Sequence, residues 1–422
     1  MKTVIKSEIE MKDSGVQWIG DIPANWGRSK LKYLGTYING YAFKPSDWSS
    51  RGRQIIRIQD LTGSNSAKPN YYDGTLDEKY RVVNGDILVS WAATLDAFVW
   101  KKEDGWLNQH IFKAVPNEKI VKDYFWWLLK VAMDNMNNDD KHGIVMQHVT
   151  IGLFNNYVVP LAPYTEQQAI ADYLDEKCSK IDEIIAEAKA SIDEYKELKQ
   201  SVIFEAVTKG LDKNVEMKDS GVEWIGEIPE SWNIRMLNQY VSQVKCKNSD
   251  LSETNLLSLS YGKIKRKNIN SNDGLLPESF DNYNVVDEND IVLRLTDLQN
   301  DHKSLRVGLV TERGIITSAY VTIRPNGINA AYLALLLHAF DYKKGFYGMG
   351  SGIRQGLTFD GIKSLKIVVP SNFEQDDIVK HIMKMTEKCD SLISEKESLI
   401  NDLEAYKKSL IYEVVTGKRR VV

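Results

Sequence analysis

The densest run of positive charge in this chain is Lys263-Ile264-Lys265-Arg266-Lys267, which has four cationic side chains in five residues. Cations at this density suit contacts to successive phosphates of a nucleic-acid backbone better than four separate contacts to base edges. A solvated loop without a ligand is the alternative interpretation of the same run. The charge pattern therefore predicts a phosphate-binding segment in the second half of the chain.

No common catalytic signature accompanies this run. The chain has no glycine-rich phosphate loop and no Asn/Asp-Pro-Pro-Tyr/Phe segment that could hold a base for amino methylation. Its six histidines lack metal-ligand spacing, and no pair of acidic residues stands out as a nuclease or glycosidase site. Cys178, Cys246 and Cys389 are widely spaced, so we expect neither a zinc site nor a disulfide framework. We interpret the chain as a binding subunit.

The overall charge and hydropathy set further limits. The net charge of −4 does not exclude nucleic-acid binding, because the acidic excess lies in two helical segments and the rest of the chain is mildly basic. No apolar run approaches the roughly 18–20 residues that a membrane helix needs. The first residues lack the apolar segment of a signal peptide. We therefore expect a cytoplasmic protein.

Two stretches of the sequence occur twice. Residues 11–26 read MKDSGVQWIGDIPANW and residues 217–232 read MKDSGVEWIGEIPESW, with 12 of 16 positions identical. Two long helical segments, which begin at Glu166-Gln167 and Glu374-Gln375, align without a gap at an offset of 208 residues. Solenoid repeats are far shorter, at about 20–50 residues. The sequence therefore predicts a duplicated unit of one domain and one helix.

The segments between these repeats have mixed secondary-structure signals. Strand-like runs occur at 54–58, 85–89, 111–115 and 157–159, and an aromatic helix is predicted at 122–133. The second half repeats this order loosely. We predict an N-terminal globular domain at 1–160, a first helix at 161–212, a second globular domain at 213–370 and a second helix at 371–422.

The helical segments have a seven-residue apolar repeat, which is typical of a left-handed coiled coil. One column of the repeat contains Leu174 and Ile181, and we place the second column three residues later. Thr165 is a plausible N-cap, and Gly210 and Gly417 are expected to end the helices. The residues predicted to pack between the helices are Leu174, Ile181, Ile184, Leu198, Ile382, Leu392, Leu403 and Leu410.

Several motifs carry a family resemblance. They are the run Gly-Val-Glu-Trp-Ile-Gly-Glu-Ile-Pro at 221–229 with its twin at 15–23, Val-Val-Thr-Gly-Lys at 414–418, and Gly-Tyr-Ala-Phe-Lys at 40–44 followed by Ile-Ile-Arg-Ile at 55–58. This combination resembles the specificity (S) subunit of type I DNA restriction-modification systems across nearly the whole chain. One departure is Lys209-Gly210, where the second helix has Gly417-Lys418.

The resemblance implies an α+β architecture: two globular target-recognition domains separated by two long antiparallel helices that form an intramolecular coiled coil with pseudo-twofold symmetry. It implies that each domain reads one half of a bipartite sequence in double-stranded DNA and that the helices fix the distance between the halves. Two methyltransferase (M) subunits would dock on the chain, and restriction (R) subunits would join through the complex. S-adenosylmethionine, ATP and Mg would belong to those partners, so we expect no cofactor in this chain.

Base readout and phosphate contacts need amide, cationic or aromatic side chains presented from loops. The residues that we predict to contact DNA are Tyr41, Lys44, Arg57, Gln59, Trp91, Thr94, Gln109 and Gln147 in the first domain, and Tyr261, Lys263, Lys265, Arg266, Lys267, Arg294, Arg306 and Arg354 in the second. Two other functions stay open on the residues alone. One is an enzyme that acts by itself, and the other is a coiled-coil scaffold without DNA contact.

Overall fold

The structure is a computed structural model that describes residues 10–63, 68–92, 94–139, 149–269, 277, 279–299, 305–349 and 356–421. The chain divides into two compact units. The first unit contains Met1–Glu187 and Leu399–Val422, and the second contains Ala188–Ser398. Each unit therefore combines one globular domain with segments of both long helices.

The first unit is a mixed α+β domain followed by a helix. Its strands are β1 Met11–Asp13, β2 Asp21–Pro23, β3 Gly27–Lys30, β4 Gly35–Asn39, β5 Arg53–Ile56, β6 Asn70–Tyr72, β7 Arg81–Val82, β8 Ile87–Ser90, β9 Asp96–Val99, β10 Gly105–Leu107, β11 Ile111–Pro116 and β12 Val158–Leu161. Its helices are α1 Ile58–Thr62, α2 Lys122–Asp139, α3 Ile151–Asn156 and α4 Tyr164–Lys209, of which α4 continues into the second unit.

The second unit repeats much of this order. Its strands are β13 Met217–Asp219, β14 Glu227–Pro229, β15 Asn233–Met236, β16 Val241–Val244, β17 Leu257–Ser260, β18 Lys263–Arg266, β19 Asn284–Val286, β20 Ile291–Leu293, β21 Val307–Leu309, β22 Gly314–Ile316, β23 Val321–Pro325 and β24 Lys366–Val369. Its helices are α5 Ala330–Tyr342, α6 Phe359–Ile362 and α7 Asn372–Val415, of which α7 returns to the first unit.

Both domains are built on the same antiparallel sheet. Its strand order is β4-β11-β8-β9 in the first domain and β16-β23-β20-β21 in the second. The aromatic and leucine-rich helices α2 and α5 contact β9 and β21, the last strands of these sheets. The pairs β1-β2 and β3-β12 of the first domain also recur, as β13-β14 and β15-β24. The other strands differ. The first domain forms a second four-stranded sheet, β6-β5-β10-β7, whereas the second domain forms the pairs β17-β18 and β19-β22.

The repeated sequence motif holds the beginning of one long helix and the end of the other. In the first unit, the Trp26 indole N–H donates to Glu166 Oε2 at 3.0 Å. A Cβ on Gly417 would lie 2.4 Å from Pro23 Cδ, and Gly417 has a φ of +76° that favours glycine. In the second unit, Trp232 donates to Glu374 at 2.9 Å. The motif therefore fixes both helices against its own domain.

The glutamine that follows each of these glutamates connects the helix to the domain core. Gln167 accepts a hydrogen bond from the Val121 backbone N–H at 2.8 Å and donates to the Ala162 carbonyl at 3.0 Å. Gln375 does the same with the Asn329 N–H and the Pro370 carbonyl. Both glutamine side chains are buried, so their amides satisfy backbone groups that water cannot reach.

The two helices run antiparallel within each unit. In the first unit Arg419 hydrogen-bonds to Tyr173, and further along α4 Asp182 binds Lys407 at 2.6 Å. In the second unit Lys199 binds Asp390 at 2.6 Å. Asp182 and Asp390, like Lys199 and Lys407, are 208 residues apart, so the internal repeat makes the same ion pair twice.

The second unit shows the same direction near the end of α4, where Gly210 and Ile378 line one small cavity. The α+β fold class with two globular domains and an antiparallel helix pair is therefore confirmed. The predicted helix boundaries differ by a few residues, because α4 begins at Tyr164 and places Thr165 inside the helix instead of at its N-cap. Ile58 begins α1 and does not continue β5.

The predicted second column of the helix seam is wrong. Leu174, Ile181, Ile382 and Leu410 are buried, but the side chains of Ile184 and Leu198 are 44% and 45% exposed. On α7, Leu392 of the second column and Leu403 of the first column are both half-buried. The second buried column of α4 lies four residues after the first, not three, and consists of Cys178, Ile185 and Ile192. A heptad alternates steps of three and four residues, so Leu174 occupies the position that is followed by the longer step.

Candidate nucleic-acid interface

Four strands of the first domain end beside the segment Asn108–His110. β5 and β10 are parallel and pair Ile56 with Leu107, so Arg57 and Asn108 leave the sheet at the same edge. β8 pairs Ser90 with Ile111, which brings Trp91 to His110. After β4, the Gly40 N–H donates to the Ile111 carbonyl at 3.2 Å. The fold thus brings four separate loops of the sequence together at one place.

Gly40 is required for this convergence. A Cβ at position 40 would lie 2.0 Å from the Asn108 carbonyl oxygen, which is closer than any side chain permits. The next residue, Tyr41, donates its N–H to the Leu107 carbonyl and accepts from the Gln109 N–H. The Tyr41 ring contacts Phe43 and Tyr80 edge-on and remains 36% exposed. An aromatic face and an amide side chain are therefore adjacent on this surface.

This surface has several buried nitrogen atoms without a hydrogen-bond partner in the described part of the chain. They are Arg57 Nε, Gln59 Nε2, Asn70 Nδ2 and His110 Nδ1. The last two were not among the residues predicted from the sequence, although His110 follows the predicted Gln109 directly. An unpaired buried nitrogen costs about 1–3 kcal/mol. Arg57 Nε is partly compensated by Asp60 Oδ2 at 4.0 Å.

The other residues predicted in the first domain occupy different positions. Lys44 and Thr94 are exposed. Trp91 is half-buried, and its ring stacks on Phe112 and tilts against His110. The second guanidinium nitrogen of Arg57 donates to the Lys68 carbonyl, which restricts this side chain. Gln147 lies outside the described residues.

In the second domain the basic run forms one strand of a hairpin. β17 and β18 are joined by the two-residue turn Tyr261-Gly262, in which both residues have positive φ. Tyr261 is 76% exposed. Lys263, Lys265 and Lys267 are exposed as well. These four predicted residues therefore share one element.

Arg266 is different, because both of its Nε contacts go to Glu312, at 2.7 and 2.8 Å, and its terminal nitrogen contacts the same carboxylate. This pairing raises the pKa of Arg266 and lowers that of Glu312. The charge of Arg266 is therefore already balanced within the domain.

The prediction that Arg306 contacts DNA is wrong, because its side chain is fully buried. Its guanidinium donates to the carbonyls of Arg294 at 3.0 Å and Thr296 at 2.8 Å, and it lies over the Tyr347 ring. Arg306 thus holds the loop that follows β20. Arg294 is half-buried beside it. Arg354 lies outside the described residues.

Among the described residues, no group of three or more His, Cys, Asp or Glu side chains could hold a metal ion. None of their helices combines the length and the apolar character needed to cross a membrane.

Comparison with known proteins identifies a family. Residues 23–194 match the family described as the type I restriction modification DNA specificity domain. The EcoBI specificity subunit of Escherichia coli, a type I restriction enzyme subunit, is 28% identical over 248 residues. This match covers 56% of the chain and only 50% of that protein, so the chain spans half the length of this relative.

Two further proteins match over longer stretches. The MjaVIII specificity subunit of Methanocaldococcus jannaschii is 26% identical over 365 residues, which are 82% of each chain. A chain solved in work on the assembly and conformational transition of the type I R-M system superposes with a TM-score of 0.68 at 11% identity. That superposition covers 94% of this chain and 99% of the other, and it shows a shared fold.

The resemblance predicted from the repeated motifs is therefore confirmed: residues 23–194 match the type I restriction modification DNA specificity domain, and the similar proteins named above are specificity subunits of type I restriction enzymes.

Proposed function

We propose that this chain is the DNA-recognition subunit of a type I restriction-modification complex and that each domain reads one half of a bipartite target. The observation that carries this proposal is one sheet scaffold built twice with different loop chemistry. The first domain presents amides and aromatic rings around Gln109, whereas the second presents a lysine-rich hairpin. Two recognition domains that share one fold but differ in their surfaces suit a DNA target whose two halves differ in sequence.

The first surface suits base readout. Amide side chains make paired hydrogen bonds with adenine in the major groove, and Gln59, Asn70 and Gln109 lie in the segments at or beside the convergent strand ends. The nitrogen atoms left unpaired there would gain partners from base edges or phosphates. The exposed Tyr41 ring adds an apolar face for a thymine methyl group or a base.

The exposed column beside the helix seam suits the methyltransferase subunits. Ile184 and Leu198 on α4, and Leu399 and Tyr406 on α7, are each 39–48% exposed. Ile184 is equivalent by the internal repeat to Leu392, and Leu198 to Tyr406. Because the apolar column is duplicated, it offers two related docking surfaces, one for each of two methyltransferase subunits. Restriction subunits would join through this complex.

The chain itself performs no catalysis in this proposal. S-adenosylmethionine, ATP and Mg would be bound by the partner subunits. Isothermal titration of the purified chain with S-adenosylmethionine should give no binding heat, and a measurable heat would favour the enzyme that acts alone.

The direct test is to sequence the methylated bases of host cells with and without this chain. We expect one split motif to lose its methylation when the chain is deleted and to regain it when the chain is restored. Exchange of residues 233–370 for the matching segment of a related subunit should change only one half of the motif. An unaltered methylation pattern after deletion would refute the proposal and leave the scaffold without DNA contact as the better description.

A further inference from the structure

The hairpin β17–β18 has one face that points away from its domain. Ser258 lies opposite Lys265 and Ser260 lies opposite Lys263 in the register of the two strands. Cross-strand partners project to the same face of a sheet. The Lys267 N–H donates to the Leu256 carbonyl at 2.8 Å, which extends the pairing and places Lys267 on that face too. On this surface the lysines of β18 and the serines of β17 therefore lie side by side in two rows.

The opposite face of the hairpin is packed against β21. A Cβ on Gly308 would lie 2.5 Å from Leu259 Cδ1 and 3.0 Å from Ile264 Cδ1. Leu257 and Leu259 are buried and Ile264 is half-buried. Because this apolar face is closed by the sheet, the lysine-bearing face is fixed outward.

The tip of the hairpin is also fixed. Gly262 has a φ of +75°, and a Cβ there would lie 2.7 Å from His338 Cε1. His338, on α5, hydrogen-bonds to the Gly262 backbone. Helix α5 thus contacts the turn through His338, so the lysines project from a hairpin whose tip is held in place.

Arg266 does not belong to the outward face. It lies opposite Leu257 in the register, so it starts from the other face of the hairpin, and its 72% exposed side chain is engaged by Glu312. In contrast, no ion pair or side-chain hydrogen bond to Lys263, Lys265 or Lys267 occurs in the described part of the chain. The basic run is therefore divided into three available cations and one that is neutralised.

We propose that the outward face of this hairpin, formed by Ser258, Ser260, Lys263, Lys265 and Lys267, binds successive phosphates along one strand of duplex DNA without reading bases. Alternate residues of a strand are about 6.8 Å apart, which is close to the separation of neighbouring phosphates on one nucleic-acid strand. Each serine hydroxyl lies across from a lysine and would donate a hydrogen bond to the same phosphate. This proposal rests on the DNA-binding function proposed above and assigns the backbone contacts of the second domain.

The test is fluorescence anisotropy of the full chain on a labelled duplex of random sequence, over a series of KCl concentrations. Each phosphate contact contributes about 0.9 to the slope of log affinity against log salt. The variant K263Q/K265Q/K267Q should therefore lower the slope by about 2.7. The matched control Arg266→Gln, from the same run, should leave the slope unchanged.

Two results would overturn the proposal that the outward face of the hairpin binds successive phosphates. One is a triple variant with the wild-type salt slope, and the other is a wild-type chain that binds no duplex at low salt. If Arg266→Gln lowered the slope by as much as a single lysine variant does, the division of the basic run into three available cations and one neutralised cation would be contradicted. The methylated motif of the triple variant is a separate readout: an altered motif would mean that the hairpin reads bases. Failure of the proposed function would appear in the deletion experiment and not in the salt slope.

Discussion

Two adjacent isoleucines on α4 provide a sharp test of the helix seam. Ile185 is 7% exposed and Ile184 is 44% exposed, although they have the same side chain and are neighbours on the same helix. Replacing a buried isoleucine with alanine removes apolar contacts and leaves a cavity, which costs about 2–5 kcal/mol. A substitution on an exposed helix face usually changes stability by about 0.5 kcal/mol or less. We therefore expect Ile185→Ala to destabilise the first unit by about 3 kcal/mol and Ile184→Ala to have little effect.

Scanning calorimetry of the two variants measures this difference. For a unit of about 200 residues, each 1 kcal/mol shifts the Tm by about 2–4 °C. Ile185→Ala should therefore lower the Tm by about 6–12 °C, and Ile184→Ala by about 2 °C or less. Equal shifts for the two variants would refute the assignment of the seam.

The same pair tests the docking surface. Ile184→Asp should leave the Tm nearly unchanged because its charge remains in water, but it should reduce the methyltransferase subunit that co-purifies with the chain. Ile185→Ala should retain methyltransferase binding at temperatures where the first unit is folded. Normal co-purification with Ile184→Asp would exclude this column from the methyltransferase surface.

Three further changes give measurable outcomes. Gly417→Ala should lower the Tm more than Gly221→Ala, since both glycines have positive φ but only the first would bring a Cβ against another residue, Pro23; equal losses would refute the close contact. Arg306→Leu should cost about 3–5 kcal/mol in urea unfolding, because it leaves buried carbonyls unpaired; a loss below about 1 kcal/mol would contradict its role in the loop. Burial lowers the pKa of His338 from 6.5 to about 4, so the unfolded state binds the proton first and the unfolding free energy should fall as the pH drops from about 6.5 to about 4; His338→Gln should remove that part of the pH dependence, and an identical pH profile would refute it.

The duplicated architecture was predictable because short sequence patterns indicate it. The repeated tryptophan motif, the heptads and the glycines that end the helices are all visible within short windows of sequence. The sequence also contains partial information on which column of the heptad repeat is buried. Lys177 and Ser191 are polar members of the column that proved exposed, whereas Ile185 and Ile192 continue the buried one. A seven-residue period alone does not decide between a step of three and a step of four.

The composition of the recognition surfaces was less predictable, because it depends on pairing between distant segments. Arg306 is buried by Asp341 and Tyr347, which lie at least 35 residues further along the chain. Nothing near Arg266 in the sequence indicates that Glu312 neutralises it. His110 and Asn70 gain their position only from the strand register. A list of polar residues taken from the sequence therefore does not separate side chains that support the fold from side chains that are free to bind a ligand.

The repeated motif contacts the beginning of one long helix and the end of the other. This arrangement determines the order in which the chain can fold during synthesis. The first domain is complete only when Gly417 reaches Pro23 and Lys407 reaches Asp182. These partners emerge from the ribosome more than 200 residues after Glu187. At about 5–20 residues per second, that delay is roughly 10–40 s.

During this interval Ile170 and Leu174 in the first half of α4, which are buried in the folded protein, lack the segment Leu399–Val422 that completes the first unit. A nascent chain of this kind exposes apolar surface for tens of seconds, which favours binding by chaperones and makes premature termination within the last 24 residues damaging to the first domain. The most distant parts of the sequence are thus interdependent in biosynthesis, although each unit is compact once folded.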